Sequence, residues 1–98
     1  MKFTVVLAPE ESGGYSATCP AVRGAVSQGK TLEDTLANIE EAILLCLEIY
    51  REDGTELPTE TPELIAKEIE ERLQDRAEEG LPLIVETREI ELGAGVAA

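Results

Sequence analysis

Between Thr31 and Gly54 the sequence carries a helical stripe with its own start and stop signals, and the rest of the fold has to accommodate it. Thr31-Leu32-Glu33-Asp34 has the form of a capping box, with a threonine as N-cap and an acid at the third helical position. Acids in that first turn also favour the positive end of the helix dipole. Leu32, Leu36, Ile39, Ile43, Cys46, Leu47 and Tyr50 follow at helical spacing and make one continuous apolar face. Gly54 is suited to end the helix. The spacing predicts a helix from near 32 to near 53, about five to six turns long, packed on a sheet. Leu44, Leu45 and Ile49 fall outside the stripe, and Leu44 lies among Glu40, Glu41 and Glu48. Leu45 and Ile49 are one turn apart, so they form a second seam, expected to be covered by a second helix or a second subunit.

The chain before this helix reads as strands. Residues 2–9, KFTVVLAP, alternate Phe3, Val5 and Leu7 on one face with Thr4, Val6 and Ala8 on the other, and Pro9 ends the run. Glu10-Glu11-Ser12-Gly13-Gly14 is a turn in which glycine can supply positive φ. Residues 15–19, YSATC, make the return strand, with Tyr15, Ala17 and Cys19 sharing a face. Pro20 lacks a donor, so pairing weakens there. Gly24 to Ser27 is a brief third strand, and Gln28-Gly29-Lys30 turns the chain into the helix.

After a loop at 55–61, Thr61-Pro62-Glu63 starts a second helix with an N-cap, a proline at the first helical position and an acid. Ile65, Ile69, Leu73 and Ala77 line its apolar face; Gly80 and Pro82 end it. Glu68, Glu70, Glu71, Arg72, Asp75 and Glu78 form the charged remainder. Residues 83–92, LIVETREIEL, read as a last strand, and residues 93–98 as a disordered tail. The expected fold is α+β: a three-stranded antiparallel meander, a long helix, a second amphipathic helix over about 62–79, then a fourth strand, all in one domain over 1–92.

Composition restricts the partners. Only 8 Lys and Arg stand against 21 Asp and Glu, a net charge of −13. Phosphate neutralisation needs cations, so neither direct nucleic-acid binding nor attachment to an anionic membrane is expected. Such a charge suits a partner with a basic surface, and it equally serves solubility. The aromatics are Phe3, Tyr15 and Tyr50, so the core is modest, and a homo-oligomer, dimer or tetramer, is expected. No apolar run approaches the ~20 residues of a membrane span, and no secretion signal is read at the start. With Cys19 and Cys46 far apart, the reading is a cytoplasmic protein with reduced thiols.

Catalytic chemistry is poorly supplied. Histidine is absent, and with it the commonest general base and metal ligand. No phosphate-binding glycine motif is present, and two distant cysteines do not make a zinc site. Cys46 lies among aliphatics and Cys19 in a strand, where core packing is the simpler role for each. The first two strands contain no acid, unlike sheets that gather carboxylates around two metals. Asp53-Gly54 with Glu52 and Glu56 falls short of a calcium loop. No catalytic residue, metal ligand or cofactor is expected.

The stretch from Gly13 to Ile43 resembles the HicB-like antitoxins. Gly13, Gly14, Tyr15, Pro20, Gly24, Gly29, Thr31, Leu32, Ala37, Asn38, Glu41 and Ala42 match that family's G-G-Y hairpin, P-x-x-x-G segment and T-x-x-E-A helix start. Residues 88–92, REIEL, look like its last strand. Asp34-Thr35 replaces the usual Glu-Ala. The resemblance implies a partial ribonuclease-H-like fold with the fourth strand beside the first. It also implies a partner, a small basic RNA-cleaving toxin of the HicA type. Many members carry a DNA-binding segment after the last strand; only residues 93–98 follow it here, so operator binding is not expected.

Three functions compete: a toxin-binding inhibitor, a solitary oligomeric module of the same family, and a degenerate nuclease. Glu10, Glu11 and Tyr15 are the candidate partner contacts, an aromatic anchor with acids beside it. Tyr15 serves equally as a hairpin core residue.

Overall fold

The structure, a computed structural model, describes residues 1–76 and 82–91. Its elements are β1 (Lys2–Pro9), β2 (Tyr15–Thr18), β3 (Val26–Gly29), α1 (Leu32–Glu52), α2 (Pro62–Asp75) and β4 (Ile84–Glu89). The four strands form one antiparallel sheet in the order β3-β2-β1-β4. The first strand of the chain is therefore central, and the last pairs beside it.

α1 is built as its sequence requires. The Thr31 hydroxyl accepts from the Asp34 N–H at 3.0 Å. At the other end Gly54 takes φ 71°, and the Thr55 N–H turns back to the Tyr50 carbonyl at 2.9 Å. Leu36, Ile39, Ile43 and Leu47 are buried with Phe3, Val5, Leu7, Ala17 and Cys19, so α1 covers one face of the sheet. Leu44 belongs with this core as well: it is half-buried against it, and shares a shallow cleft with Ile90 beyond β4. The helix is long enough for its flank to reach the sheet margin, which a seven-residue stripe does not convey.

The opposite face, Thr4, Val6 and Ala8, is buried too, and this explains why β1 reads as apolar on both sides. Its cover is α2. A cleft lined by Thr4, Glu60, Ile65 and Ile69 marks the contact, and Arg76 donates to the Pro9 carbonyl at the far end of β1. The sheet is thus sandwiched in cis between two helices. α2 is turned slightly from the expected orientation. Ile65 and Ile69 face inward with Glu68 and Arg72, which pair at 3.1 Å, while Leu73 is exposed. The arginine stems supply apolar cover that a purely aliphatic stripe would not predict.

Boundaries moved in three places. β3 runs from 26 to 29 rather than 24 to 27, because residues 19–25 are occupied by tight turns: Val22 N–H to Cys19 carbonyl and Ala25 N–H to Val22 carbonyl. β4 spans 84–89 within the expected 83–92. α2 closes at Asp75; positions 77–79 of the expected helix, and the tail at 93–98, lie outside the described residues. Leu45 and Ile49 stay exposed, since α2 lies across the other face of the sheet, so the second helix does not cover that seam.

Candidate functional site

The matched sequence run folds into one end of the domain. There the β1–β2 hairpin tip, the end of β3 and the start of α1 meet. Gly13 and Gly14 take φ 96° and 80° and let the turn close with Gly13 N–H on the Glu10 carbonyl and Glu10 N–H on the Gly14 carbonyl, both at 3.0 Å. A side chain at Gly14 would meet the Gly29 carbonyl at 2.8 Å. One at Gly29 would meet Thr35 Oγ1 at 2.6 Å and its backbone nitrogen at 2.7 Å. Both glycines are thus fixed by close backbone approach, and Thr35 is wedged against β3. Its hydroxyl, wholly buried, donates to the Thr31 carbonyl at 2.7 Å. Asn38 donates from Nδ2 to the Gln28 carbonyl at 2.8 Å and ties α1 to the outer strand.

These constraints shape a shallow open cleft of about 700 Å³, lined among others by Glu10, Gly14, Tyr15, Gln28 and Lys30. Tyr15 is half-buried, paired with Pro9 and Gly29. Glu10 is exposed, and its carboxylate accepts from the Ser16 hydroxyl at 2.8 Å, which aims it along β2. The structure therefore brings Glu10 and Tyr15 together. Glu11 stands next to them on the turn, exposed and outside the cleft lining. Lys30 lines the same cleft, and Glu33 and Asp34 are exposed on the first turn of α1 that follows it. An open cleft of this kind, with the Glu10 carboxylate beside the Tyr15 ring, can hold a basic side chain; it does not enclose a substrate.

Reactive groups are not concentrated elsewhere in the described residues. No three Cys, Asp or Glu side chains gather there in a way that could hold a metal ion. Cys19 is buried, and desolvation pushes its thiol up to about 11, against the pull of backbone hydrogen bonds from Val22 and Ala21. It stays a neutral thiol near pH 7, the less reactive form. No helix among the described residues is long and apolar enough to cross a membrane.

Two working residues are given no role by the sequence reading. Glu60 sits in the loop before α2, yet its carboxylate accepts from both the N–H and the hydroxyl of Thr4. Nothing local distinguishes it from the other loop acids; only the sheet order shows that Thr4 has an open side. Asn38 matched the family pattern, but its bond to β3 depends on the register of that strand.

An antiparallel sheet enclosed between two helices, with a glycine-built polar tip at one end, is the fold of the HicB antitoxin N-terminal domain. Two solved structures carry it over nearly the whole chain. One is the N-terminal domain of Burkholderia pseudomallei antitoxin HicB, with a TM-score of 0.67 and 23% identity over 94% of this chain and 100% of that one. The other comes from a HicA3 and HicB3 toxin–antitoxin complex, with a TM-score of 0.66 and 22% identity over 93% and 99%. The chain belongs to the family described as "HicB_like antitoxin of bacterial toxin-antitoxin system", which matches residues 3–87. Among curated relatives, the UPF0150 protein Ta0767 of Thermoplasma acidophilum is 37% identical over 66% of this chain and 94% of its own. The UPF0150 protein ssr1765 of Synechocystis is 43% identical over 66% and 80%. Antitoxin HicB 1 of Photorhabdus laumondii is 36% identical over 63% of this chain but only 40% of its own length.

Proposed function

We propose that this chain is a non-enzymatic antitoxin that captures and neutralises a small, basic, RNA-cleaving toxin of the HicA type. The observation that carries the reading is the family match across residues 3–87. The net charge of −13 supports it, since opposite fields steer association and penalise wrong partners. One protein of the same fold comes from a toxin–antitoxin complex. Glu10, Glu11 and Tyr15 make the contact, with the ring as anchor and the acids meeting the toxin's cations. The unit that works is the domain over 1–92, on a partial ribonuclease-H-like sheet. It acts in the cytoplasm as a homo-oligomer, dimer or tetramer, without touching nucleic acid or membrane and without a cofactor.

The reading predicts a short basic protein encoded beside this chain's gene, and co-expression with it is the test. The two are expected to co-purify, and the chain to stop that protein's RNA cleavage in vitro. Absence of any such neighbour, together with failure to relieve HicA-type toxicity, overturns the reading. A second reading, a solitary oligomeric module without a toxin, is favoured by the UPF0150 relatives, which match a larger share of their own length than the HicB antitoxin does. It predicts that the same co-expression yields the chain alone.

A further inference from the structure

The sheet has three stretches of open strand edge, and on two of them a side chain caps an outward backbone group. Thr4 lies past the end of β2, and Glu60 takes its outward N–H at 2.6 Å. On β3 the Cys19 N–H bonds the Ala25 carbonyl at 3.1 Å, so by alternation the Gln28 carbonyl points outward; Asn38 fills it. The outer edge of β4 has no such cap among the described residues.

The groups on that edge follow from the register. Thr4 stands opposite Thr87, and its backbone turns away from β4 to Glu60. The Ile90 N–H, one step out of phase, bonds the Met1 carbonyl at 2.7 Å. The N–H and C=O groups of Val85, Thr87 and Glu89 therefore point away from β1, into the open. Val85 and Thr87 are exposed as well. An uncapped edge of this kind is a template for another strand.

We propose that β4 is the seam between two copies of this chain, paired antiparallel about a twofold axis at Thr87, with Glu86 of each copy opposite Arg88 of the other. In this register every outward residue meets an outward residue: Thr87 meets its own copy, and Val85 meets Glu89 in both directions, for about six hydrogen bonds. Glu86 and Arg88 share the α1 face, as their partners Val5 and Phe3 do, so both cross-strand pairs unite opposite charges. On the same face Ile84 falls opposite Ile90. A shift of the axis by one residue along β4 in either direction sets Glu86 against Glu86, or Arg88 against Arg88. A single-residue change of pairing puts the two faces out of phase. The strand is thus complementary to itself in one register, as an isologous contact requires.

Arg88 adds a reason. In its own chain it approaches Glu40 only at 3.9 Å, and its buried Nε has no hydrogen-bond partner. A second carboxylate from the facing strand gives this guanidinium the pairing it lacks. The proposal deepens the self-association included in the function proposed above, and is independent of toxin capture.

Sedimentation velocity of the full chain tests it, at about 0.15 M salt, where a Debye length of about 8 Å screens the long-range repulsion between two acidic copies. The expected species is a dimer. Thr87→Pro removes an outward donor while sparing the ladder to β1, and is expected to give a folded monomer. Glu86→Arg is expected to weaken dimerisation at least tenfold, and Glu86→Arg with Arg88→Glu together to restore it. On the unaltered chain, amide exchange at Val85, Thr87 and Glu89 is expected to be slow and to quicken on dilution. A wild-type monomer at every concentration overturns the seam, as does a dimer indifferent to both single substitutions or one whose three amides exchange freely. A monomer that still binds a HicA-type toxin overturns the seam and leaves capture standing.

Discussion

Glu60 closes the open side of β1 by accepting two hydrogen bonds from Thr4, 2.6 Å from its backbone nitrogen and 2.8 Å from its hydroxyl. One carboxylate thus does the work of a missing strand, and it holds the entry to α2 against the sheet. Removing it leaves a backbone donor without a partner in a buried residue, which costs about 1–3 kcal/mol. Glu60→Ala is expected to lower the urea midpoint accordingly. Thr4→Val, which keeps the backbone bond, is expected to cost only about 1 kcal/mol.

The two hairpin-end glycines Gly13 and Gly29 are expected to respond differently to alanine. At Gly13 nothing lies within 4 Å of the added carbon, so Gly13→Ala costs only the left-handed backbone, about 1–2 kcal/mol. Gly29→Ala drives a methyl into Thr35 at 2.6–2.7 Å, and an overpacked site of this kind costs about 1–3 kcal/mol or more. Thr35→Ser is not expected to rescue it, because the backbone nitrogen of residue 35 is nearly as close as the hydroxyl. Thermal unfolding of the three variants checks this.

Cys19 makes stability depend on alkaline pH. Burial disfavours the thiolate and pushes the folded thiol up to about 11, above the ordinary value of an exposed cysteine. Below 9 both states hold the proton and the contribution is intact. As pH rises from 9 through 11 the unfolded chain ionises first, and stability falls by roughly 2–3 kcal/mol at most. Urea unfolding across that window is expected to show the loss, and Cys19→Ala to remove that part of the slope.

If the hairpin tip is the toxin contact, reversing its charge weakens binding without unfolding the domain. Glu10→Lys with Glu11→Lys is expected to raise Kd for a HicA-type toxin at least tenfold by calorimetry, mostly through slower association at low salt. Stability is expected to change by no more than about 0.5 kcal/mol, as for other exposed sites.

The two leucines two residues apart on α1 separate core from surface. Leu47 is fully buried and Leu47→Ala is expected to cost about 2–5 kcal/mol. Leu45 is 58% exposed, and Leu45→Lys is expected to be neutral within about 0.5 kcal/mol in chemical denaturation.

Local rules carried far in this chain. Thr31, the stripe from Leu32 to Tyr50 and Gly54 define α1 to within a residue, because cap, periodicity and stop agree. The β1–β2 hairpin was legible for the same reason. What short-range patterns do not contain is which face of β1 each helix takes. Val6 and Ala8 read as a second apolar face, but only α2 arriving from sixty residues away explains their burial. The same distance hides Glu60 and the turn of α2 that brings Arg72 inward and leaves Leu73 out. At the candidate site, the glycines and Tyr15 were visible as turn and hairpin chemistry. The closeness of Gly29 to Thr35, which shapes the cleft, depends on how α1 docks.

The placement of β4 beside β1 also sets an order of events during synthesis. β1, in the middle of the sheet, leaves the ribosome long before β4, and the register from Lys2↔Glu89 to Leu7↔Ile84 joins residues more than seventy positions apart. Until residue 84 and its successors emerge, β1 has one flank unpaired, and until Glu60 emerges Thr4 has none of its side-chain partners. Such distant pairing is slow to form and leaves an apolar strand open to stray contacts meanwhile. The sheet thus reaches its stable form in one late step, once β4 has followed, and a polypeptide interrupted before β4 would keep one flank of its central strand bare.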